Sequence, residues 1–153
     1  MRELFSNMYP FWSLVISVIT AQLIKPFIHY ATSKKWDWRL AYASGGFPSS
    51  HTAGVVALCL SVGLTENFDS TIFAVTLAFT SVVTYDSANV RYYAGQNIRI
   101  TRQLIKDVQM LTNTKLDDPI YLTRVKEVLG HKYTEVMGGM VHGIIIALLI
   151  YFI

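Results

Sequence analysis

The chain has 153 residues, of which 52% are apolar and 15% charged, and a formal net charge of +3. Soluble domains carry about 25% charged residues, so this composition, with its positive mean hydropathy, excludes an ordinary soluble enzyme and a nucleic-acid-binding domain. The length suits a single domain over residues 1–153.

The first apolar run, Phe11 to Phe27 (FWSLVISVITAQLIKPF), predicts a helix over about residues 9–33. It reaches the ~20 residues that cross a bilayer. Arg2 is the one basic residue before it, and no small-residue cleavage pattern follows. It therefore reads as an uncleaved span, not a signal peptide. A loop to Gly46 leads into SGGFPSSHTAGVVALCL, residues 44–60. Pro48 suits a first helical position, which predicts a helix from Pro48 to about Leu64. Its apolar part, Thr52 to Leu64, is the shortest of the runs. The lone cysteine, Cys59, lies inside it. One thiol makes no internal disulfide, and Cys59 reads as a small apolar packing residue.

A tight connection, Thr65 to Asp69, leads to a helix from Ser70 to about Ala94 whose apolar stretch is Ile72 to Tyr85. The segment NIRITRQLIKDVQML then spaces Ile98, Ile100, Leu104, Ile105, Val108 and Leu111 as an amphipathic helix would. Such a helix lies on a membrane surface or on the other helices. Asp117, Asp118 and Pro119 break it, and a last helix begins near Gly130, apolar from Val136 to Ile153. The expected fold is all-α: an integral membrane bundle of about four transmembrane helices plus an amphipathic segment.

With four alternating spans, residues 28–51 and 86–135 share one side. Lys34, Lys35, Arg39, Arg91, Arg99, Arg102, Lys106, Lys115, Arg124, Lys126 and Lys132 fall there, and Arg2 alone falls on the other. Basic loops stay in the cytoplasm, which puts this side in the cytoplasm and the termini on the opposite side. The same charges suit anionic headgroups, although topology alone accounts for most of them.

The costly polar residues gather towards that side. Lys25 sits late in the first span, His51 begins the second, Asp86 and Arg91 end the third, and His131 and Glu135 begin the fourth. Ionisable groups bordering spans mark sites. In the second helix, Ser49, Ser50 and His51 would fall in the first turn, whose N–H groups lack intrahelical acceptors and favour an anion. Gly45 and Gly46 allow close approach of the backbone. That predicts a phosphate-sized anion beside His51; an ordinary serine-rich helix start is the plainer reading. His131 and Glu135, four apart, would share a helix face. A carboxylate behind an imidazole fixes its tautomer and supports a nucleophile or base, while a capping pair is the structural alternative. Gly139 and Gly143 permit close helix packing. His29 and His142 read as packing or interface residues.

Three stretches taken together, GGFPSSHTA, YDSANVRYYAG and KEVLGHKYTEVMGG, resemble the small divergent branch of the type 2 phosphatidic acid phosphatase family, related to bacterial acid phosphatases and vanadium haloperoxidases. The likeness runs from about Gln22 to Gly143. It implies that His51 protonates the leaving group and that Ser49 binds phosphate, with Ser50 where the wider superfamily has glycine. It also implies that His131 is the nucleophile, supported by Glu135 where Asp is usual, through a phosphohistidine and with no cofactor or metal. Two departures stand out. The superfamily's arginine six residues before the nucleophile is Val125 here, flanked by Arg124 and Lys126. Its first motif, a lysine seven residues before an Arg-Pro pair, is not intact, so Lys25, Lys34, Lys35 and Arg39 are the candidate bases. Arg91, near Asp86 in the branch's own motif, is a replacement phosphate clamp.

The function expected is an integral membrane phosphatase acting on a lipid phosphate monoester or diphosphate, in a bacterial cytoplasmic membrane. Its catalytic residues are His131, His51 and Glu135. Ser49, Ser50, Arg91, Lys25, Lys35 and Lys126 bind phosphate, and Asp86 supports them. The alternative is a phosphate-headgroup binding or lipid-transport protein that has lost the chemistry. A metal site on His51, Asp86, His131 and Glu135 is a third arrangement, against which the motif match argues. Membrane lipids and a second copy of the chain are the expected partners.

Overall fold

The computed structural model describes residues 8–43, 45–112 and 131–152, and among these every regular element is helical. The first helix, α1, spans Tyr9–Ser33 and begins with a proline in its first turn. Lys34 closes it in a left-handed conformation (φ 55), its N–H donating to the Tyr30 carbonyl at 2.9 Å. Every fourth residue of α1 is buried: Tyr9, Ser13, Ser17, Ala21 and Lys25. Phe11, Ile19, Leu23 and Phe27 are exposed. In water that pattern would be inside out. In a bilayer, lipid tails solvate the large apolar side chains, and small residues let helices approach one another.

The second helix, α2, spans Ser50–Glu66 and is the centre of the bundle, packed against three other helices. A turn through Asn67 leads to α3, Thr71–Tyr85, capped by Ser70 Oγ, which accepts from the Phe73 N–H at 3.2 Å. The buried Thr80 hydroxyl donates to the Val55 carbonyl at 3.0 Å and ties α3 to α2. A π-helical turn, Asp86–Val90, joins α3 to α4, Arg91–Thr112, as one helical run. The last helix, α5, spans Tyr133–Tyr151.

Among the described residues three helical runs are long and apolar enough to cross a membrane: Tyr9–Ser33, Thr71–Thr112 and Tyr133–Tyr151. The expected fourth span is α2, which has 17 residues and reaches roughly 25 Å at 1.5 Å per residue. Its short length goes with its position, enclosed by the other helices. The all-α membrane bundle is as expected, but several boundaries move. The loop before α2 contains a 3-10 turn, Trp38–Tyr42. The amphipathic segment is not a separate helix, because the π-turn carries the chain from α3 straight into it.

The α2–α5 contact brings two backbones close together. A Cβ on Gly139 would sit 2.5 Å from the Ser49 carbonyl oxygen, and one on Gly143 would collide with the carbonyl of Ala53. Dispersion between backbones, summed over many small contacts, holds such a seam. At one end of the bundle the Tyr9 hydroxyl donates to the Ala147 carbonyl at 2.8 Å and the Tyr9 and Tyr151 rings lie 5.9 Å apart. The start of α1 and the end of α5 therefore meet at this end. At the other end Phe27, Trp36 and Trp38 stack edge to face, with Trp36 and Trp38 centroids 5.0 Å apart. Such aromatic clusters sit at membrane–water interfaces.

Candidate functional site

The site is built at the Trp36/Trp38 end, where α2 and α5 begin. The helix expected from Pro48 starts at Ser50, with Ser49 as its N-cap. The cause is local chemistry: Ser49 Oγ accepts from the Thr52 N–H (3.3 Å) and the Thr52 hydroxyl (3.1 Å). A serine oxygen that satisfies a first-turn N–H stabilises a helix start. Pro48 precedes the cap, in a cis peptide with Phe47. The Ser49 N–H donates to the Glu135 carbonyl at 2.9 Å. Ser49 thus pins the start of α2 to the first turn of α5, so its N–H is engaged by protein and is not offered to an anion. Ser50, also buried, is the first residue of the helix.

The last helix starts at Tyr133, not near Gly130, so His131 precedes the N-cap Lys132 and Glu135 is the third helical residue. His131 and Glu135 therefore meet by capping geometry and not along a helix face. Glu135 Oε2 lies 2.8 Å from His131 Nδ1 and accepts the Lys132 N–H at 3.3 Å. An ionised carboxylate only accepts, so His131 Nδ1 carries a proton and donates it to Glu135, and Nε2 points away from Glu135. Both readings of the pair hold at once: the carboxylate is a helix cap and also the partner of the imidazole.

The structure brings His51 and His131 together, with ring centroids 6.1 Å apart and planes inclined by 62°. His51 is exposed and His131 is 3% exposed. His131 opens into a cavity of about 180 Å³ lined by Ala88, Tyr92, Tyr93, His131, Lys132 and Tyr133. His51 is not among its lining residues.

Lys25 is buried beneath the loop, where its ammonium donates to the carbonyls of Gly45 (2.9 Å) and Ala43 (3.4 Å) and lies within electrostatic reach of Glu135. Gly45 and Gly46 have φ of 98° and 86°, values that suit glycine and turn the loop over this lysine. Lys35 is exposed at the end of α1, where its N–H donates to Ser33 Oγ; no described contact carries it to the site. Asp86 opens the π-turn and Arg91 is the first residue of α4. Lys126, with Arg124 and Val125, lies outside the described residues. Among the described residues no three His, Cys, Asp or Glu side chains gather as a metal site.

Sequence reasoning missed how the motif YDSANVRYYAG is used. The Ser87 carbonyl accepts the His131 N–H at 3.1 Å, and Asn89 Oδ1 accepts the Tyr133 hydroxyl at 2.8 Å. The π-turn therefore clamps the residues on both sides of Lys132, and π-turns within helices often mark functional positions. Tyr92 and Tyr93 follow it into the cavity wall. The available signal was the co-occurrence of Asn89 and Tyr133 in two of the quoted motifs. His142 also has a partner, since Nε2 lies 2.9 Å from Thr20 Oγ1.

A profile described as "Divergent PAP2 family" matches residues 6–146. The chain is 36% identical to the uncharacterized membrane protein YuiD of Bacillus subtilis (strain 168), over 97% of this chain and 96% of that one. No solved structure matches. A match over nearly the whole chain, on a helical bundle with three runs fit to cross a membrane, places this membrane protein in the Divergent PAP2 family.

Proposed function

We propose that the protein is an integral membrane phosphatase for a lipid phosphate monoester or diphosphate. The observation that carries the reading is the juxtaposition of two imidazoles, 6.1 Å apart at adjacent helix starts, one of them backed by a carboxylate at 2.8 Å. His131 Nε2 attacks phosphorus while Glu135 stabilises the charge that develops on the ring. His51 protonates the departing ester oxygen, which leaves as the alcohol or, from a diphosphate, as the lipid monophosphate. Water then attacks the phosphohistidine, its proton passing to His51, and inorganic phosphate is released. Equatorial phosphoryl charge needs donors. Ser50, Arg91, Lys25, Lys35 and Lys126 are the proposed set, with Ser49 supporting through the helix cap and Asp86 through the π-turn. We place the site in the cytoplasm on the strength of its basic loops. A homodimer is the assembly proposed, which mass measurement in detergent checks.

The test is phosphate release from a lipid-phosphate panel by purified protein, with His131→Ala beside it and acid-labile phosphate trapped on the protein. Turnover lost in His131→Ala and a phosphohistidine on the parent chain support the reading. Full activity in the variant overturns it.

A second reading is a phosphate-headgroup binding or transport protein without turnover. The engagement of the Ser49 N–H by Glu135 and of the Lys25 ammonium by loop carbonyls favours it. Lipid-phosphate binding that survives His131→Ala, with no turnover by the parent, would establish that reading.

A further inference from the structure

The amphipathic helix α4 takes no part in the chemistry above beyond its first turn. Counting roughly 100° per residue, Ile100, Leu104, Val108 and Leu111 fall within roughly 80° of one another. All four are exposed, Leu111 to 85%. Ile98 and Ile105, half-buried, widen the arc. Arg99, Arg102 and Lys106 occupy the opposite side. Apart from the π-turn, no described helix packs along α4.

The position of α4 relative to the bilayer follows from chain length. α3 has 15 residues and the π-turn five, giving 20, which is about what a hydrocarbon core takes. The π-turn is bonded to His131 at the end marked by Trp36 and Trp38. Thus α4 starts at the interface. A π-turn is also one of the few places where a long helix changes direction.

Two covers compete for the apolar arc, a second α4 and the bilayer. With Ile98 and Ile105 the arc is much wider than the narrow seam of a paired coil. Residues 91–112 contain four basic residues and one acid, Asp107, whose carboxylate already accepts from the Gln103 amide at 2.8 Å. A self-paired helix would lack the ion pairs that fix such a pair. A wide apolar arc backed by arginine and lysine matches the acyl boundary and phosphates of an anionic leaflet. We propose that α4 is seated on the anionic lipid surface at the site end of the bundle, its apolar arc in the acyl boundary and Arg99 and Lys106 on lipid phosphates. This inference does not rest on the phosphatase reading.

The test uses the full chain with Cys59→Ala, reconstituted in nanodiscs of phosphatidylcholine alone or mixed with phosphatidylglycerol. Single nitroxides are placed through Leu104→Cys or Gln103→Cys. With phosphatidylglycerol, the Leu104 label should become open to oxygen and shielded from an aqueous nickel reagent, and the Gln103 label should stay open to nickel. Arg99→Gln with Lys106→Gln should lower the ratio of seated to unseated helix roughly thirtyfold, the equivalent of about 1 kcal/mol per charge. A Leu104 label open to nickel in both lipids overturns the proposal. So does shielding that is equal in both lipids and indifferent to the two neutralised charges. A short label-to-label distance between copies would assign the arc to a second chain, also overturning it.

Discussion

The α2–α5 seam and α4 are both helical, yet opposite constraints place them. In the seam, Gly139 and Gly143 bring two backbones together so closely that no side chain fits between them. The Ser49 N–H then locks the two helix starts at 2.9 Å. Among the described residues α4 meets the bundle chiefly at its start, through the π-turn, and presents Ile100 and Leu104 outward. The difference shows how the bundle separates precision from adaptability. The histidines stand at the tightly packed helix starts, while α4 makes few contacts with the other described helices.

The largest effect on stability should come from filling the seam. Gly143→Leu drives a branched side chain into the Ala53 carbonyl, which belongs to backbone and cannot swing aside. An overpacked core loses about 1–3 kcal/mol or more, which for a chain of this size lowers Tm by roughly 2–12 °C. Thr101→Leu places the same side chain on the exposed surface of α4 and should change stability by less than about 0.5 kcal/mol. Thermal unfolding in detergent by circular dichroism compares the two. Equal losses would erase the distinction between the regions.

Glu135→Gln asks whether the site uses the seam for chemistry or only for architecture. The amide oxygen can still accept the Lys132 N–H, so the cap survives while the charge behind His131 is lost. Removing the carboxylate behind a catalytic imidazole lowers turnover by about 10²–10⁴-fold. Steady-state phosphate release should show this in kcat, with Tm nearly unchanged. Unchanged turnover would reduce Glu135 to a helix cap.

Ser49→Ala sharpens the same point at smaller scale. It deletes an N-cap oxygen, costing about 0.5–2 kcal/mol, and leaves the backbone bond to Glu135 intact. A lowered Tm with an unchanged KM is expected. A raised KM at constant Tm would instead assign the Ser49 hydroxyl to the substrate.

The spans, the helical class and the three family stretches were legible because hydropathy and residue type carry them directly. His51, His131 and Glu135 were legible as a group because each borders an apolar run at the same predicted level. The engagement of Ser49 was not, since spacing cannot show that a backbone N–H meets a carbonyl 86 residues away. The start of α5 was misplaced because Glu135 reaches His131 through a cap, and a separation of four suits a cap as well as a face. The π-turn was invisible because one widened turn leaves composition unchanged while shifting the register of everything after it. The polar stripe of α1 had its sign reversed by the solvent: Ser13 and Ser17, which would face water in a soluble helix, are buried here.

That stripe supports the smallest prediction. His142 on α5 and Thr20 on α1 lie 2.9 Å apart, and the Thr20 hydroxyl also donates to the Ile16 carbonyl at 2.7 Å. The Thr20 hydroxyl thus joins α1 to α5. In water one would expect little from such a bond, and in lipid a great deal, because an unmet polar group has no solvent. Measured interhelical hydrogen bonds in membranes average only about 0.6 kcal/mol, since the separated helices find other partners. Thr20→Val keeps the shape of the side chain and removes the hydroxyl. It should lower Tm by roughly 1–3 °C and leave the site end, with its 6.1 Å imidazole pair, unaltered in activity. A loss as large as that of Gly143→Leu would mean that the α1–α5 polar contact matters to the bundle as much as the α2–α5 glycine seam.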